Sequence, residues 1–195
     1  MKIKLFQTVR IALILGIEFT SMDAIAAPDP LFKAIIPSVR RELPQDMVVR
    51  LPKLVRNVYK EDSSYQGKGT KVYATSSQYR PDIDRGSYII MLSRTPDCNT
   101  TSCGVGYIAV QRDKPSIHDS SSGAESKDKE NVISIRSGLN GYYFYARAGS
   151  AGERHNVYWQ QNGLYFHLNF RGYTKDEVIK MANSMSTEKA IRSSQ

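Results

Sequence analysis

The chain has 195 residues, a formal net charge of +8 and 41% hydrophobic residues. This length suits one domain with a proper hydrophobic core, so the fold needs neither a structural metal nor several disulfide bonds. The sequence contains no G-x-S-x-G, H-E-x-x-H, Walker or Rossmann fingerprint, so nothing places it among the enzymes that these motifs define.

Residues 1–26 have the three parts of a secretory signal. These parts are a positive start, a short apolar run over residues 11–17, and an A-x-A site at Ala24-Ile25-Ala26. The apolar run is too short for a bilayer span, which needs about 20 residues. We therefore expect cleavage after Ala26 and export to the periplasm or the extracellular space, with a retained membrane anchor as the alternative.

Cleavage changes the charge of the chain only slightly. The leader carries three basic and two acidic residues, so its removal leaves 169 residues with a net charge of +7. No second apolar stretch of spanning length follows, so no integral membrane segment is expected after cleavage.

The first third of the mature chain mixes helix and strand signals. Apolar residues at helical spacing over residues 30–43 predict a short helical segment, which Pro37 should kink or divide into two turns. Residues 47–51 predict a short strand that either ends at Pro52 or lies at a sheet edge. Residues 53–68 give no assignment.

From residue 70 onward the pattern is typical of consecutive strands. The predicted strands cover residues 70–77, 87–94, 103–111, 131–137 and 142–147. Short connections require antiparallel neighbours, so the sheet is predicted to be a twisted, largely antiparallel meander. Residues 112–130 contain a single large apolar residue, Ile117, and are predicted to be a mobile loop.

Asn162-Gly163 predicts a two-residue turn joining the last two strands into a hairpin. Pairing outward from this turn places Trp159 opposite Phe166 and Tyr158 opposite His167. Because side chains alternate between faces, one face is predicted to be core and the other polar. The predicted core face holds Val157, Trp159, Leu164, Phe166, Leu168 and Phe170, and the other holds Tyr158, Gln160, Tyr165, His167 and Asn169.

A C-terminal helix is marked by Thr174 as N-cap and Glu177 three residues later, the spacing of a capping box. Its apolar residues recur at i, i+3, i+4 and i+7, which predicts packing on the sheet. Residues 187–195 lose this periodicity and are predicted to fray. The whole is predicted to be a single α+β domain over residues 27–186.

Three segments carry a resemblance to a known family. The segments G-Y-Y-F-Y at residues 141–145, V-Y-W-Q-Q-N-G-L-Y-F at 157–166 and D-E-V-I-K-M-A-N-S-M at 176–185 resemble an extracytoplasmic domain of Gram-positive proteins linked to sigma-factor regulation. The leader, an early L-P strand end, a Y-x-I-x-L strand at residues 88–92 and C-x4-C are similar to cyanobacterial secreted proteins of uncharacterised function. The resemblance implies a fold and a compartment but no activity.

Cys98 and Cys103 are the only cysteines, and they flank a predicted turn. In an exported chain this pair predicts a disulfide, which in the chain-entropy model stabilises the fold by roughly 2 kcal/mol. Metal binding is the weaker alternative, since a structural zinc needs four ligands and no histidine lies within twelve positions. We expect neither a metal nor a cofactor.

Two groups of residues are candidate binding sites. Arg40, Arg41, Lys53 and Arg56 belong to a basic cluster that could meet an anionic envelope component or a partner protein; a solvated basic surface is the alternative. Tyr158, Tyr165 and His167 share the polar face of the hairpin, where a cross-strand aromatic pair is the alternative. Nucleic acid is not expected as a partner, because an exported protein rarely meets it.

Three hypotheses for function follow from these features. The leading one is a non-enzymatic envelope or periplasmic module that binds another component. The second is a small cell-wall hydrolase that uses some arrangement of His167, Tyr158 and acidic residues. The third is a carrier of an apolar ligand held between the sheet and the helix. Whether the protein is an enzyme stays open at this stage, with the balance toward a non-enzyme.

Overall fold

The computed structural model describes residues 27–59, 70–80, 86–96, 98, 103–115, 131–147 and 153–194. The predicted leader and residues 116–130 of the predicted mobile loop lie outside this part of the chain. Nine strands lie within the described ranges: β1 Val58–Tyr59, β2 Thr70–Lys71, β3 Tyr73–Arg80, β4 Ser87–Ser93, β5 Gly104–Gln111, β6 Asn131–Ile135, β7 Leu139–Arg147, β8 Glu153–Gln161 and β9 Leu164–Arg171.

Seven of these strands form one antiparallel sheet in the order β3-β4-β5-β9-β8-β7-β6, and β1 pairs separately with β2. The antiparallel sheet is as predicted, but its order is two meanders joined where β5 pairs with β9. This pairing places Ile108 beside Leu168 and Val110 beside Phe166. Residues 112–130 connect β5 to β6, which lies at the edge of the sheet opposite β3. Because this connection is long, β6 need not lie beside β5.

The β8–β9 hairpin has the predicted register. Trp159 pairs with Phe166 and Tyr158 with His167. Asn162 and Gly163 have φ angles of 54° and 79°, the left-handed values that a tight hairpin turn requires. The Trp159 and Phe166 rings stack with centroids 5.3 Å apart, and the six predicted core residues of the hairpin are all buried.

Helical segments cover that same face of the sheet. A 3₁₀ turn at Pro30–Phe32 precedes α1, Ile36–Glu42, and Pro37 lies in the first turn of α1, where a missing N–H is tolerated. The C-terminal helix α2, Lys175–Thr187, begins with the predicted capping box. Its residues Val178, Met181, Ala182 and Met185 join the core formed with Trp159 and Phe166. The result is the predicted single α+β domain.

The two cysteine sulfur atoms lie 1.99 Å apart, at bonding distance, with the Cα atoms separated by 5.9 Å. None of the helices in the described ranges is both long and apolar enough to cross a bilayer.

Two further predictions are wrong, and they concern segments that contact each other. Residues 47–51 do not form a sheet strand; Val49 makes only an isolated antiparallel bridge to Ile191. The segment after α2 is not a frayed end, because Ile191 is buried and its amide and carbonyl both bond to Val49, at 2.7 and 3.0 Å. Burial of one apolar side chain leaves no periodicity, so the sequence pattern does not reveal it.

Gly106 on β5 is required by the close approach of β9. A Cβ at this position would lie 2.3 Å from the Asn169 carbonyl oxygen and 2.6 Å from a Phe170 ring carbon. We predict that Gly106→Ala lowers the free energy of unfolding by about 1–3 kcal/mol, since a backbone oxygen cannot move aside easily. Urea denaturation measures this, with Val132→Ala as control, because Val132 is 67% exposed on edge strand β6 and should change stability by less than about 0.5 kcal/mol. Equal effects of the two substitutions would contradict the close contact.

Candidate functional site

Arg56, one of the four predicted basic residues, is used inside the fold. Its Nη1 lies 2.9 and 3.1 Å from the two carboxylate oxygens of Glu177 on α2. The guanidinium also donates to the carbonyl oxygens of Val58 and Gly172 and lies 4.5 Å from the centre of the Tyr173 ring. Arg56 therefore fastens the N-terminal segment to the start of α2.

Lys53 is also engaged. Its Nζ lies 3.0 Å from Oε1 of Glu188, which follows α2 and is 3% exposed. The guanidinium of Arg50 donates to the backbone carbonyl of the same Glu188. The ion pair and this hydrogen bond hold the C-terminal segment against residues 50–53.

Arg40 and Arg41 lie at the surface of α1, as a binding role requires. Arg41 is 68% exposed and contacts Glu42 at 3.3 Å. The Arg40 side chain is exposed, and its backbone carbonyl accepts a hydrogen bond from the Ser194 amide at 2.9 Å. The C-terminal segment is thereby brought beside α1.

This contact places two further cations next to Arg40. Arg40, Lys189 and Arg192 line one cleft of about 600 Å³ between α1 and the C-terminal segment, and we call these three residues the chain-end basic patch. Their side chains form no ion pair with any residue that the structure describes. Burial lowers the pKa of Arg50, and the charge of Arg192 lowers it further, whereas Glu188 acts in the opposite direction. Three cations and one carboxylate line the cleft among the described residues, so positive charge is in excess here.

The second face of the sheet carries the other predicted group, and much of it is buried. His167 is 7% exposed; its Nε2 lies 3.3 Å from Asn156 Oδ1 and its Nδ1 lies 3.5 Å from the Tyr107 hydroxyl. Asn156 Oδ1 also accepts from Asn169 Nδ2 at 2.6 Å, and Asn169 Oδ1 accepts from Arg154 at 2.7 Å. This order of donors implies that Nε2 of His167 carries the proton.

The predicted tyrosines lie on this second face in different surroundings. Tyr158 is fully buried, stacks on Tyr142 at 5.0 Å and meets His167 edge-on at 6.5 Å. Tyr165 is half-buried and pairs with Gln160 across the hairpin. The structure thus brings Tyr158 and His167 together as a cross-strand aromatic pair.

The environment of His167 determines its chemistry. Burial lowers the pKa of His167 from 6.5 to about 4, so the ring is neutral near pH 7. Its ring nitrogens face an amide oxygen and a phenol, and no carboxylate of the described residues bonds to it. The hydrolase hypothesis stays an untested prediction.

The described ranges hold no group of three or more His, Cys, Asp or Glu residues arranged to bind a metal ion. Comparison with protein-family models, with curated proteins and with solved structures gives no match for this chain. The family resemblance stated above therefore stays a prediction.

Lys189 and Arg192 were not predicted as site residues, because they lie about 150 positions after Arg40 and only the fold brings them together. Tyr107 was missed for a similar reason, since β5 lies beside β9, the strand of His167, only in the folded sheet. Asn156, in the same hairpin as His167, was also missed. The alternation of residues on β8 gave a usable signal for Asn156, which shares a face with Tyr158.

Basic residues that are paired in the fold should contribute more to stability than basic residues with exposed side chains. Arg56→Ala should lower the free energy of unfolding by about 2–3 kcal/mol, because several hydrogen bonds to a partly buried charge are lost. Arg40→Ala, in an exposed side chain, should stay within about 0.5 kcal/mol of the wild type. Denaturant midpoints of both variants test this, and equal midpoints would contradict the structural role of Arg56.

His167 should make stability depend on pH. Its pKa is about 4 in the fold against an ordinary 6.5, so between these values the unfolded chain binds the proton more readily. The free energy of unfolding should therefore fall as the pH drops from 6.5 to 4, by about 3 kcal/mol in full.

Comparison with His167→Gln isolates this effect from the carboxylates, which titrate in both proteins. The difference between the two stability curves should shrink as the pH falls from 7.5 to 4.5. A constant difference across that range would show that His167 is not buried as a neutral ring.

Proposed function

We propose that this chain is an exported, non-enzymatic binding module of the cell envelope, and that it holds an anionic envelope component at the chain-end basic patch. The observation that carries the proposal is the division of the basic residues into two groups. Lys53 and Arg56 form ion pairs inside the fold, whereas Arg40, Lys189 and Arg192 border an open cleft.

The division matters because charges that are already paired contribute little to the electrostatic attraction of a distant partner. Glu188 lies at the same cleft, but its carboxylate is paired with Lys53 at 3.0 Å. The nearest exposed acid on α1, Glu42, contacts Arg41. The three cations of the patch are therefore left to act on a ligand, and their field extends over about one Debye length.

Export is part of the proposal and has its own support. Residues 1–26 have the composition of a secretory leader. The bonding distance between Cys98 and Cys103 suits an oxidising compartment. Both features favour the periplasm or the cell exterior, where anionic lipids and polymers are abundant.

The experiment compares retention of the processed protein on anionic liposomes, on peptidoglycan and on envelope extract at about 0.1 M and about 1 M salt. Retention on at least one target should be lost at high salt, because the Debye length falls from about 10 Å to about 3 Å. Each cation near an anionic lipid surface contributes about 1 kcal/mol. Arg40→Glu/Arg192→Glu should therefore weaken binding at low salt by at least about thirtyfold.

A matched control changes the net charge equally at another place. Arg136→Glu/Lys180→Glu alters two exposed cations outside the cleft and should retain most of the binding. Equal loss in both double variants would point to net charge alone, and salt-independent retention would refute the proposal.

A further inference from the structure

The cleft beside the chain-end basic patch has walls of two chemical kinds. One wall is apolar, and Arg40, Lys189 and Arg192 supply positive charge. The apolar lining residues are Ala27, Pro28, Ile36, Ala190 and Ile191. A volume of about 600 Å³ falls within the range of small-molecule sites, which is about 300–1,000 Å³. Apolar walls with a few charged groups are the usual construction of such a site.

The fold holds both walls in place. The C-terminal segment is fixed by the reciprocal hydrogen bonds of Val49 and Ile191 and by the bond from the Ser194 amide to the Arg40 carbonyl. Glu188 is fixed from the inner side by Lys53 and Arg50. The cleft is therefore bounded by segments that are bonded to each other and requires no rearrangement to form.

Charge decides what the cleft can hold. Among the described residues, Glu188 is the one carboxylate that lines the cleft. It is 3% exposed and already paired, so it offers little repulsion to an anion. Two arginines can grip the oxygens of a carboxylate or a phosphate with planar, charge-assisted hydrogen bonds. The apolar wall is formed by few side chains, which suits one hydrocarbon chain rather than the two of a phospholipid.

We infer that the cleft binds a single-chain amphiphile that ends in a carboxylate or phosphate group, with its chain against Ile36 and Ile191 and its head between Arg40 and Arg192. This inference rests on the proposed function, since it names the ligand class of the same patch. The ligand is held by apolar contact with its chain and by electrostatic attraction of its head, and each contribution can be removed without the other.

Isothermal titration with four probes separates the contributions. Dodecanoate and dodecyl phosphate carry an anionic head, dodecanol has the same chain without charge, and all are used below their aggregation limits. At least one anionic probe should bind at least tenfold more tightly than dodecanol. Acetate, which has the head without the chain, should bind more weakly than dodecanoate by a similar factor.

Variants of the chain sharpen the test. Arg40→Ala/Arg192→Ala should weaken binding of the anionic probes at least tenfold and leave dodecanol unchanged. Ile36→Asn should weaken the binding of all three twelve-carbon probes. Arg41→Ala is the matched control, because Arg41 neighbours Arg40 on α1 but does not line the cleft, and it should bind like the wild type. Thermal melts verify that each variant is folded.

Three results would overturn the inference: equal affinity for dodecanol and both anionic probes, no binding of either anionic probe up to about 1 mM, or unchanged affinity in Arg40→Ala/Arg192→Ala. Its failure is distinguishable from failure of the proposed function. Salt-sensitive retention on envelope material without probe binding would refute the ligand class alone. Head-dependent probe binding without retention on any envelope target would refute the envelope role and support the ligand class.

Discussion

The Asn162-Gly163 turn is the constraint on which the rest of the sheet depends. Both residues adopt positive φ, and this turn fixes the register of β8 against β9 because strand side chains alternate with a period of two. A slip by one position would move Trp159 away from the core and Asn156 into it. With the register fixed, β9 pairs with β5 on one side and β8 pairs with β7 on the other. The turn therefore determines which side chains of both meanders face the core.

A second constraint is electrostatic and acts on the two chain ends. Arg56 binds Glu177 at the start of α2, and Lys53 binds Glu188 just beyond its end. One N-terminal segment is thus attached to both ends of the same helix. The cleft exists because this attachment, together with the Val49–Ile191 bridge, leaves α1 and the C-terminal segment side by side. The residues that hold these segments together are therefore different from the residues of the chain-end basic patch, which would bind the ligand.

Local signals in the sequence were sufficient for the hairpin and for the start of α2, because a turn or a capping box is determined by residues close together in the chain. They were insufficient for the strand order, which depends on which apolar edges fit best, such as Ile108 beside Leu168. The basic cluster was recognised, but its division was not, because Glu177 and Glu188 are more than a hundred residues from the cations they pair with. The hairpin face predicted to be polar is largely buried, since alternation indicates which residues share a face and not whether that face meets solvent.

The joint between β5 and β9 also determines the order in which the sheet can form. Strands β3, β4 and β5 leave the ribosome early, but the second partner of β5 is β9, the last of the strands in the described ranges. Until β9 is made, the β5 edge has unpaired backbone groups and apolar side chains such as Ile108 and Val110. Closure of such a long loop is entropically costly and slows folding. The export proposed above fits this delay, since the sheet cannot be completed before β9 is synthesised.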